Sequence, residues 1–429
     1  MAVVATLSFL TLVGCSSAPE PRLSVRLWDP QVAEAYRVSL DEFERETGIP
    51  VDVVVVPWAS YWTQLRTDVA GRTVDDLYWM NSTSYRPYAE SGSILPVAAD
   101  QLADQSGGWS PAAIEQFTSA GQVWGVPQII DPGIALFYNA DLLDVAGLDA
   151  NDVSKISWNP SAADDSLRET ARSLTLDDNG NHPRDPGFDA DSTAQYGFGA
   201  SNDLNAVLLQ FLAGNGAAWQ RGDSFVFADE PGVETIDYLV RLINVEHVAP
   251  PAADSNPPVG GDYVRDEFIK GRVALFPTGA YNLANVAEGA AFRWGVAPFP
   301  SGPAGSLSVT NSVVLASSAT TDMPREQQLL AEWLGSAEGQ RAIGISGSAL
   351  PAAIDAQADY RAFWAEQRVD ITAMLEILDN GHVQAPQGAR YGEASDALQP
   401  ILNSVFTGTL EADRGIREAE AAANEAIAD

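Results

Sequence analysis

The chain has one cysteine, Cys15, and 3 histidines among 429 residues. A lone thiol cannot close an internal disulfide, and a metal site needs several ligands that the neighbourhood of Cys15 lacks. The histidines stand in loop-like or helix-end contexts, without an accompanying G-x-S-x-G stretch, at His182, His247 and His382. The sequence therefore offers little to nucleophilic catalysis, and we predict no cofactor and no metal.

Basic residues are also scarce, since 24 Lys and Arg stand against 58 Asp and Glu, for a formal charge of -34. Such a surface repels nucleic acid and anionic lipid headgroups, so neither is expected as a partner. We interpret the charge as a means of solubility outside the cell. Hydrophobic residues make up 46% of the chain, which indicates a globular body, and its length predicts two lobes. We also expect a monomer.

Long apolar runs are missing except at the N-terminus, where residues 2–13 carry no charge. This run is too short to span a bilayer and has the length of a secretion-signal core. "LVGCSSAPEP", residues 12–21, resembles the lipobox of bacterial lipoproteins, in which cleavage before the cysteine lets its thiol receive a diacylglyceryl group. The resemblance implies a signal peptide over 1–14, lipidation of Cys15, a tether over 15–21 and a position on the outer face of the cell membrane.

No Lys or Arg lies between Met1 and Cys15, although a signal normally begins with a basic segment. Two explanations stay open: the true start lies upstream, or the run is a buried N-terminal strand with an incidental cysteine. We favour the lipoprotein, because Ser16 to Pro21 then forms a flexible polar tether.

Strand and helix patterns alternate after the tether, which predicts an α/β fold with a largely parallel sheet. The β-branched run Val51 to Val56 indicates a strand covered on both faces. After Pro351 the chain is predicted mostly helical, ending in a helix from about Glu411 with one docked face. The predicted strands are 23–28, 51–56, 76–80, 273–276, 293–297 and 312–316; the helices are 32–47, 61–70 and 262–270; the docked face holds Ile416, Ala419, Ala423 and Ile427.

Large aromatic rings paired with neutral or acidic groups recur where the predicted strands end. Ligands of open α/β sheets collect at the carboxyl ends of strands. A pyranose has an apolar C–H face that stacks on aromatic rings and hydroxyls that both donate and accept hydrogen bonds. We therefore predict a sugar site. Its strand-end candidates are Trp28, Asp29, Trp58, Tyr61, Trp79, Asn81, Ser82, Gly279, Tyr281 and Asn282, whereas Trp62, Trp109, Trp333 and Trp364 are assigned to the core.

Several longer stretches resemble the extracellular solute-binding proteins, family 1, of ABC sugar importers, the group that includes maltose-binding protein. Residues 43–97 look like its N-terminal signature, and "GQVWGVPQIIDPGIALFYNADLLDVAGLD" like its crossing into the second lobe. "GRVALFPTGAYNL", "WGVAPFPSGP" and "SVTNSVVLASSA" follow in the same order. The resemblance covers nearly the whole mature chain. It departs at Val74-Asp75, where relatives often have Pro before the aspartate that aligns with Asp76.

The resemblance implies a type II periplasmic-binding-protein-like fold, in which two lobes, each a mixed sheet flanked by helices, are joined by a hinge and close on a sugar. The implied lobes are 22–131 plus 299–350 and 132–298 plus 351–429. The protein would be no enzyme, and its partners would be a neutral sugar, the subunits of an ABC permease and the membrane through Cys15.

The resemblance also assigns roles to single residues of the site. Trp79 aligns with a sugar-contacting aromatic, Asn81 and Ser82 with nearby polar contacts. Asp131 aligns with a hinge-side carboxylate that accepts from hydroxyls, and Tyr281 with an aromatic platform. Further matches, the last two of them loose, are Asn202, Asp203, Arg390 and Tyr391.

Three alternatives remain. A secreted glycosidase needs carboxylates across a glycosidic bond, whereas Asp75-Asp76 and Asp164-Asp165 are adjacent in sequence and indicate solvated turns. A binding protein for a polyol, a peptide or a phosphate ester is the second, although the negative charge disfavours anions. "TLDDNGNHPRD" invites a calcium site through Asp177, Asn179, Asn181 and Asp185, but Gly180 and Pro186 do not fit an EF-hand, so an Asn-Gly turn is favoured.

Overall fold

The structure is a computed structural model that describes residues 21–162, 165–256, 260–378, 382–388 and 390–428. The predicted signal peptide, Cys15 and Asp164 lie outside these ranges. In the part of the chain described, no helix combines the length and the apolar character needed to cross a membrane.

The strands are β1 Leu23–Leu27, β2 Val51–Val55, β3 Leu77–Asn81, β4 Ile94–Leu95, β5 Thr118–Ser119, β6 Gln122–Val123, β7 Val126–Asp131, β8 Ala135–Asn139, β9 Leu176–Asp177, β10 Thr193–Phe198, β11 Gln220–Arg221, β12 Ser224–Phe225, β13 Val273–Thr278, β14 Trp294–Ala297, β15 Ser308–Ser318, β16 Leu350–Pro351 and β17 His382–Gln384.

The helices are α1 Pro30–Thr47, α2 Trp58–Gly71, α3 Tyr85–Glu90, α4 Ala99–Gln105, α5 Pro111–Gln116, α6 Ala140–Ala146, α7 Ala150–Val153, α8 Ser166–Ser173, α9 Leu209–Gly214, α10 Glu230–Asn244, α11 Ala252–Ser255, α12 Gly260–Ile269, α13 Leu283–Gly289, α14 Pro324–Gly335, α15 Ala337–Ser346, α16 Gln357–Glu366, α17 Thr372–Leu375, α18 Tyr391–Phe406 and α19 Ala412–Ala428.

The first lobe is built on a mixed sheet with the strand order β16-β7-β15-β3-β1-β2. β1 pairs in parallel with β2 and β3, while β15 runs antiparallel to both β3 and β7. The carboxyl ends of β1, β2, β3 and β7 therefore lie at one edge of the sheet, where β15 begins. The alternating strand and helix pattern predicted this α/β lobe, but the sheet is mixed because the late strand β15 inserts between β3 and β7.

The strand β2 corrects one expectation. Its run of valines indicated a strand covered on both faces, yet the strand order ends at β2 and its side chains are only half-buried or exposed. β-branched residues suit any pleated, partly buried surface, so such a run does not separate an edge strand from a central one.

The second lobe has its own mixed sheet, in the order β14-β8-β13-β10-β9. β13 is parallel to β10, so these two strands end at the same edge. One face is covered by α9, α10, α18 and α19, and in α19 the predicted docked face is confirmed: Ile416, Ala419 and Ala423 are buried, and Ile427 packs against the same core. Helices α12, α13, α16 and α17 join a core on the other face, which also contains Ala113, Ile130 and Leu350 of the first lobe.

The chain crosses between the two sheets more than once. Residues 132–134 join β7 to β8, and residues 298–307 join β14 to β15. β17 pairs in parallel with β15, after which α18 packs into the core of the second lobe. Exact lobe boundaries stay a prediction, and β17 shows that one short segment of the range assigned to the second lobe extends the first sheet.

The loop that invited a calcium hypothesis is organised by hydrogen bonds to Asp177. Its Oδ1 accepts from the backbone N–H groups of Asn179 and Asn181, both at 2.8 Å, and its Oδ2 accepts from Asn181 Nδ2 at 3.0 Å and Asp189 N at 3.1 Å. Gly180 takes the left-handed conformation of an Asn-Gly turn, with φ 81°. Within the described ranges, no group of His, Cys, Asp and Glu could hold a metal ion.

We expect Asp177→Asn to destabilise the protein at neutral pH. Burial opposes the charge of Asp177, but the hydrogen bonds from Asn181, Asp189 and Asn179 outweigh it and lower its pKa to about 2. Stability from a depressed pKa is present above the unfolded value near 4 and is lost as the pH falls towards 2. Urea unfolding at pH 7 and pH 3 should show a smaller deficit at pH 3. Asp178→Asn is the control, and equal deficits at both pH values would contradict the assignment.

Candidate functional site

The edges at which the parallel strands end face each other between the lobes. On the first lobe, Trp28 and Asp29 follow β1, Trp58 follows β2, Asn81 and Ser82 close β3, and Asp131 closes β7. On the second lobe, Asn202 and Asp203 follow β10, and Gly279 to Asn282 follow β13. Contacts between Asp131 and the segment after β13 join the two edges.

Asp131 is the centre of this junction. Its Oδ1 accepts from Gly133 N at 3.3 Å, inside the crossing, and from Ala280 N at 3.3 Å, on the other lobe. Burial raises the pKa of Asp131 to about 7, although the two hydrogen bonds lower it. In the described part of the molecule no donor reaches Oδ2, so one oxygen of this carboxylate is available to a hydroxyl.

Gly279 lets the carboxylate approach the second lobe. A Cβ at this position would lie 2.4 Å from Cε1 of Tyr281 and 2.6 Å from Asp131 Oδ2. The backbone itself does not demand glycine, since φ is -92°. The requirement is space between the lobes.

Tyr281 presents its ring beside this contact, with 44% of its surface exposed. The local surroundings of the hydroxyl are nevertheless desolvated: burial raises the pKa of Tyr281, and the nearby carboxylates of Asp203 and Asp131 raise it further. The tyrosine therefore lies between two acidic groups that come from different lobes.

Asp203 begins the π-helical turn Leu204–Leu208 and accepts from Ala206 N at 2.7 Å. Burial raises its pKa, against the hydrogen bonds from Ala206 and Asn205 that lower it. Irregular helical turns of this kind are frequent at functional sites. Asp203 thus supplies a second partly buried carboxylate near Tyr281.

An aromatic cluster forms where β1 and β2 end. The ring of Trp28 meets those of Trp58 at 5.3 Å, Tyr61 at 5.0 Å, Trp62 at 5.8 Å and Trp79 at 4.8 Å between centroids. Edge-to-face packing of this kind holds the rings in fixed orientations. Trp58 remains 49% exposed, so its indole ring is accessible to an apolar surface.

Trp79 corrects the prediction that it touches sugar directly. It is 1% exposed, and its Nε1 donates to the Tyr36 hydroxyl at 3.0 Å inside the first lobe. Its ring packs in an edge-to-face arrangement against that of Trp28. β3 is covered on both faces, since Tyr78 and Met80 on either side of Trp79 are also buried, so the aromatic at this strand end is internal.

Other predicted contacts hold the turns at these strand ends. Asp29 caps α1 through Gln31 N and Val32 N, and burial raises its pKa against these two bonds. The remaining polar contacts are Asn81 Oδ1 with Ser84 N at 3.0 Å, Ser82 Oγ with Asn311 Oδ1 at 3.3 Å, Asn202 Nδ2 with Asn403 Oδ1 at 2.9 Å and Asn282 Nδ2 with Thr278 Oγ1 at 2.8 Å. Asn202 is 1% exposed and therefore faces the interior. Burial speaks against the predicted ligand contact of Asn202, as it does for Trp79. Ligand contact by the other members of this set stays a prediction.

The loosely matched pair lies at the start of α18. Arg390 Nε donates to Glu393 Oε2 at 2.9 Å, and the ring of Tyr391 stacks on Phe225 with centroids 6.0 Å apart. Tyr391 thereby packs on the core of the second lobe.

Sequence reasoning missed an ion pair between the lobes. Arg86, on α3 of the first lobe, lies 3.8 Å from Asp223, in the turn between β11 and β12 of the second. No local pattern marks either residue, since the pair exists only once both lobes are folded. It also missed that Trp62, assigned to the core, is only half-buried and packs against Trp58.

Comparisons with known proteins agree with this architecture. Residues 29–341 match the sequence profile of the family described as bacterial extracellular solute-binding protein. The chain belongs to this family of extracellular solute-binding proteins. Among curated protein sequences, none matches it significantly.

Solved structures of other solute-binding proteins share the fold. UspC of M. tuberculosis is 40% identical, with 95% of this chain and 100% of that chain covered and a TM-score of 0.75. Lmo0181 of Listeria monocytogenes, in complex with cycloalternan, is 19% identical, with 95% and 98% covered and a TM-score of 0.79. The MalE domain of Bdellovibrio bacteriovorus, bound to maltotriose, is 16% identical, with 95% and 100% covered and a TM-score of 0.77.

The solute-binding protein therefore has the predicted two-lobed fold, and its family acts outside the cytoplasm. The family consists of solute-binding proteins rather than enzymes, which decides against a glycosidase.

We expect Gly279→Ala to weaken ligand binding by the solute-binding protein. The new methyl group would occupy the space between Tyr281 and the Asp131 carboxylate, and overpacking of this kind costs about 1–3 kcal/mol. Thermal-shift titration against a sugar that stabilises the wild type measures the effect. Gly392→Ala is the matched control, because a Cβ there meets nothing within 4 Å. Equal affinities for Gly279→Ala and the control would show that the lobes do not need this approach.

We expect Asp131→Asn to stabilise the ligand-free protein at pH 8 and much less at pH 4. The folded pKa of about 7 lies above the unfolded value of 3.8, so the folded state binds more protons between them. The stability of the wild type therefore falls as the pH rises from about 4 to 7. The variant lacks this titrating carboxylate, so its stability does not fall for this reason. Urea unfolding between pH 4 and 8 measures the difference, and parallel stability curves would contradict the raised pKa.

Proposed function

We propose that the protein captures a neutral mono- or oligosaccharide in the cleft between its lobes and delivers it to an ABC import permease. The observation that carries the proposal is the meeting of Asp131 and Asp203 with the exposed ring of Tyr281. Carboxylates accept hydrogen bonds from sugar hydroxyls, and an aromatic ring receives the apolar face of a pyranose.

The exposed aromatic side chains support a stacking ligand. Among the described residues, the large hydrophobic side chains that are exposed include only two aromatic ones, Trp58 at 49% and Tyr281 at 44%. Both stand at strand ends that border the cleft, one on each lobe. Two platforms on opposite lobes suit a ligand of more than one sugar ring better than a single monosaccharide.

The charge of the site supports a neutral ligand. Asp131 and Asp203 are both desolvated, and the formal charge of the chain is -34. A phosphate or carboxylate brought to these groups would meet like charges in a medium of low polarity, which costs several kcal/mol. Relatives of the same fold hold cycloalternan and maltotriose, which are neutral oligosaccharides.

Closure follows from contacts that only a ligand between the lobes can make. A sugar that touches Asp131 on one lobe and Tyr281 on the other stabilises the closed arrangement by its differential contacts. A permease can then distinguish the loaded protein by its shape, because hinge closure changes the relative position of the two lobes.

We further propose that lipidation of Cys15 anchors the mature protein to the outer face of the membrane. The uncharged run 2–13 followed by Leu-Val-Gly-Cys supports this, and several acyl chains give a firm anchor because each buried methylene contributes about 0.8 kcal/mol. Mass spectrometry of the mature N-terminal peptide from the native membrane fraction tests it, with an unmodified Cys15 as the contrary result.

Screening by thermal shift against mono-, di- and oligosaccharides tests the proposed capture of sugar. We expect stabilisation by at least one neutral sugar, with no product on chromatography. Trp58→Ala and Tyr281→Ala should each weaken binding of that sugar about tenfold by loss of stacking.

The control is Ile354→Ala, which removes a side chain of similar exposure, 45%, away from the aromatic cluster. If only peptides or phosphate esters stabilised the protein, its ligand would be one of these solutes and not a sugar. Unchanged affinity in both aromatic variants would show that the site lies elsewhere.

A further inference from the structure

We propose that Asn311 is a ligand-binding residue that, together with Asp131, recognises a free hydroxyl of the sugar and rejects an ether or a hydrogen at that position. The proposal rests on the proposed capture of sugar. Asn311 lies in β15, in the stretch "SVTNSVVL", and is half-buried.

The register of the first sheet places Asn311 beside Asp131. In the antiparallel pair of β15 and β7, Asn311 is the partner of Asp131. Directly opposed residues of such a pair project from the same face, with Cβ atoms about 4.5–5.5 Å apart. Its chain neighbours Thr310 and Ser312 are fully buried, which agrees with strand alternation turning Asn311 the other way.

Ser82 fixes the orientation of the Asn311 amide. The Ser82 hydroxyl, 4% exposed at the end of β3, donates to Asn311 Oδ1 at 3.3 Å. The amide oxygen is thereby occupied, and the Nδ2 group keeps two N–H donors. Among the residues that the structure describes, none accepts a hydrogen bond from Nδ2.

Asp131 offers the hydrogen-bond acceptor that complements the Asn311 donor. Its Oδ1 accepts from Gly133 and Ala280, whereas Oδ2 has no donor in the described ranges. An unused acceptor and an unused donor therefore stand on neighbouring strands at the cleft edge. A hydroxyl can donate to Asp131 Oδ2 and accept from Asn311 Nδ2 at the same time, because it has one O–H and two lone pairs.

This pairing selects by chemistry rather than by size. An ether oxygen cannot donate to Asp131, and a deoxy carbon can do neither, so each leaves desolvated polar groups without partners. Sites that bind a hydroxyl through buried polar groups discriminate strongly against analogues that lack it. Asn311 is thus a specificity-determining contact, and Ser82 is a positioning residue.

Calorimetric titration with glucose, galactose, mannose, maltose, cellobiose and maltotriose tests the inference on the full chain. For the sugar that the wild type binds best, we expect Asn311→Ala to weaken binding about tenfold, the effect of one lost hydrogen bond to a desolvated partner. Asn311→Asp should weaken it more, because it also places a carboxylate beside Asp131. Ser82→Ala should cause a smaller loss, and the control Asn151→Ala, on the exposed start of α7, none.

Monodeoxy derivatives of the same sugar distinguish a direct contact between Asn311 and the sugar from a merely structural effect of the substitution. For the one derivative that lacks the recognised hydroxyl, wild type and Asn311→Ala should bind with equal affinity, while for the others the tenfold gap remains. Wild-type affinity in Asn311→Ala, or the same loss with every derivative, would overturn the role of Asn311 alone. If the wild type binds none of the sugars, the proposed function fails, and this inference fails with it.

Discussion

The hydrogen bond from Ala280 N to Asp131 joins the two lobes at the point where the chain first crosses between them. The carboxylate sits at the last residue of β7, and a few residues later the chain enters β8 of the other sheet. Its burial is costly, as the pKa of about 7 indicates. A solvated carboxylate would carry no such cost. The position of Asp131 is therefore best explained by its hydrogen bonds to Gly133 and Ala280. Gly279 follows from it, because a larger residue would separate Asp131 from the second lobe.

The remaining parts of the site depend on strand order. Parallel β1, β3 and β7 bring their carboxyl ends to one edge, and the antiparallel β15 begins at that same edge. The insertion of β15 between β3 and β7 gives Asn311 both of its neighbours, Ser82 on one side and Asp131 on the other. Side chains held by a sheet keep their positions when the lobes move, which suits a site that must be complete only on closure.

Much of this arrangement could be predicted from the sequence, because strands and their ends leave local signals. The helix over α1, the strand β13 and the docked face of α19 match their patterns. Asp131 and Asp203 were expected at the site only from the family resemblance, and Tyr281 also from its place at a strand end. Their meeting depends on how the two sheets face each other, which no local pattern reveals. Trp79 was misplaced because a strand end does not reveal which neighbour covers it, and here Tyr36 of α1 does so. Edge position for β2 and the pairing of Arg86 with Asp223 depend on elements far apart in sequence.

Two polar contacts between the lobes differ in strength. Arg86 and Asp223 lie 3.8 Å apart, and the aspartate side chain is 74% exposed. An exposed pair of this kind contributes about 0–1 kcal/mol and is screened by salt. The contact of Asp131 with Ala280 is sheltered, but it confines a carboxylate whose charge is disfavoured there. Neither polar contact by itself holds the lobes together firmly. Beside them, a buried hydrophobic cluster joins Ile130 and Leu350 of the first lobe to Phe137 of the second. In the proposed complex, a hydroxyl that donates to Asp131 would offset part of the cost of its burial and so favour the closed arrangement of the lobes.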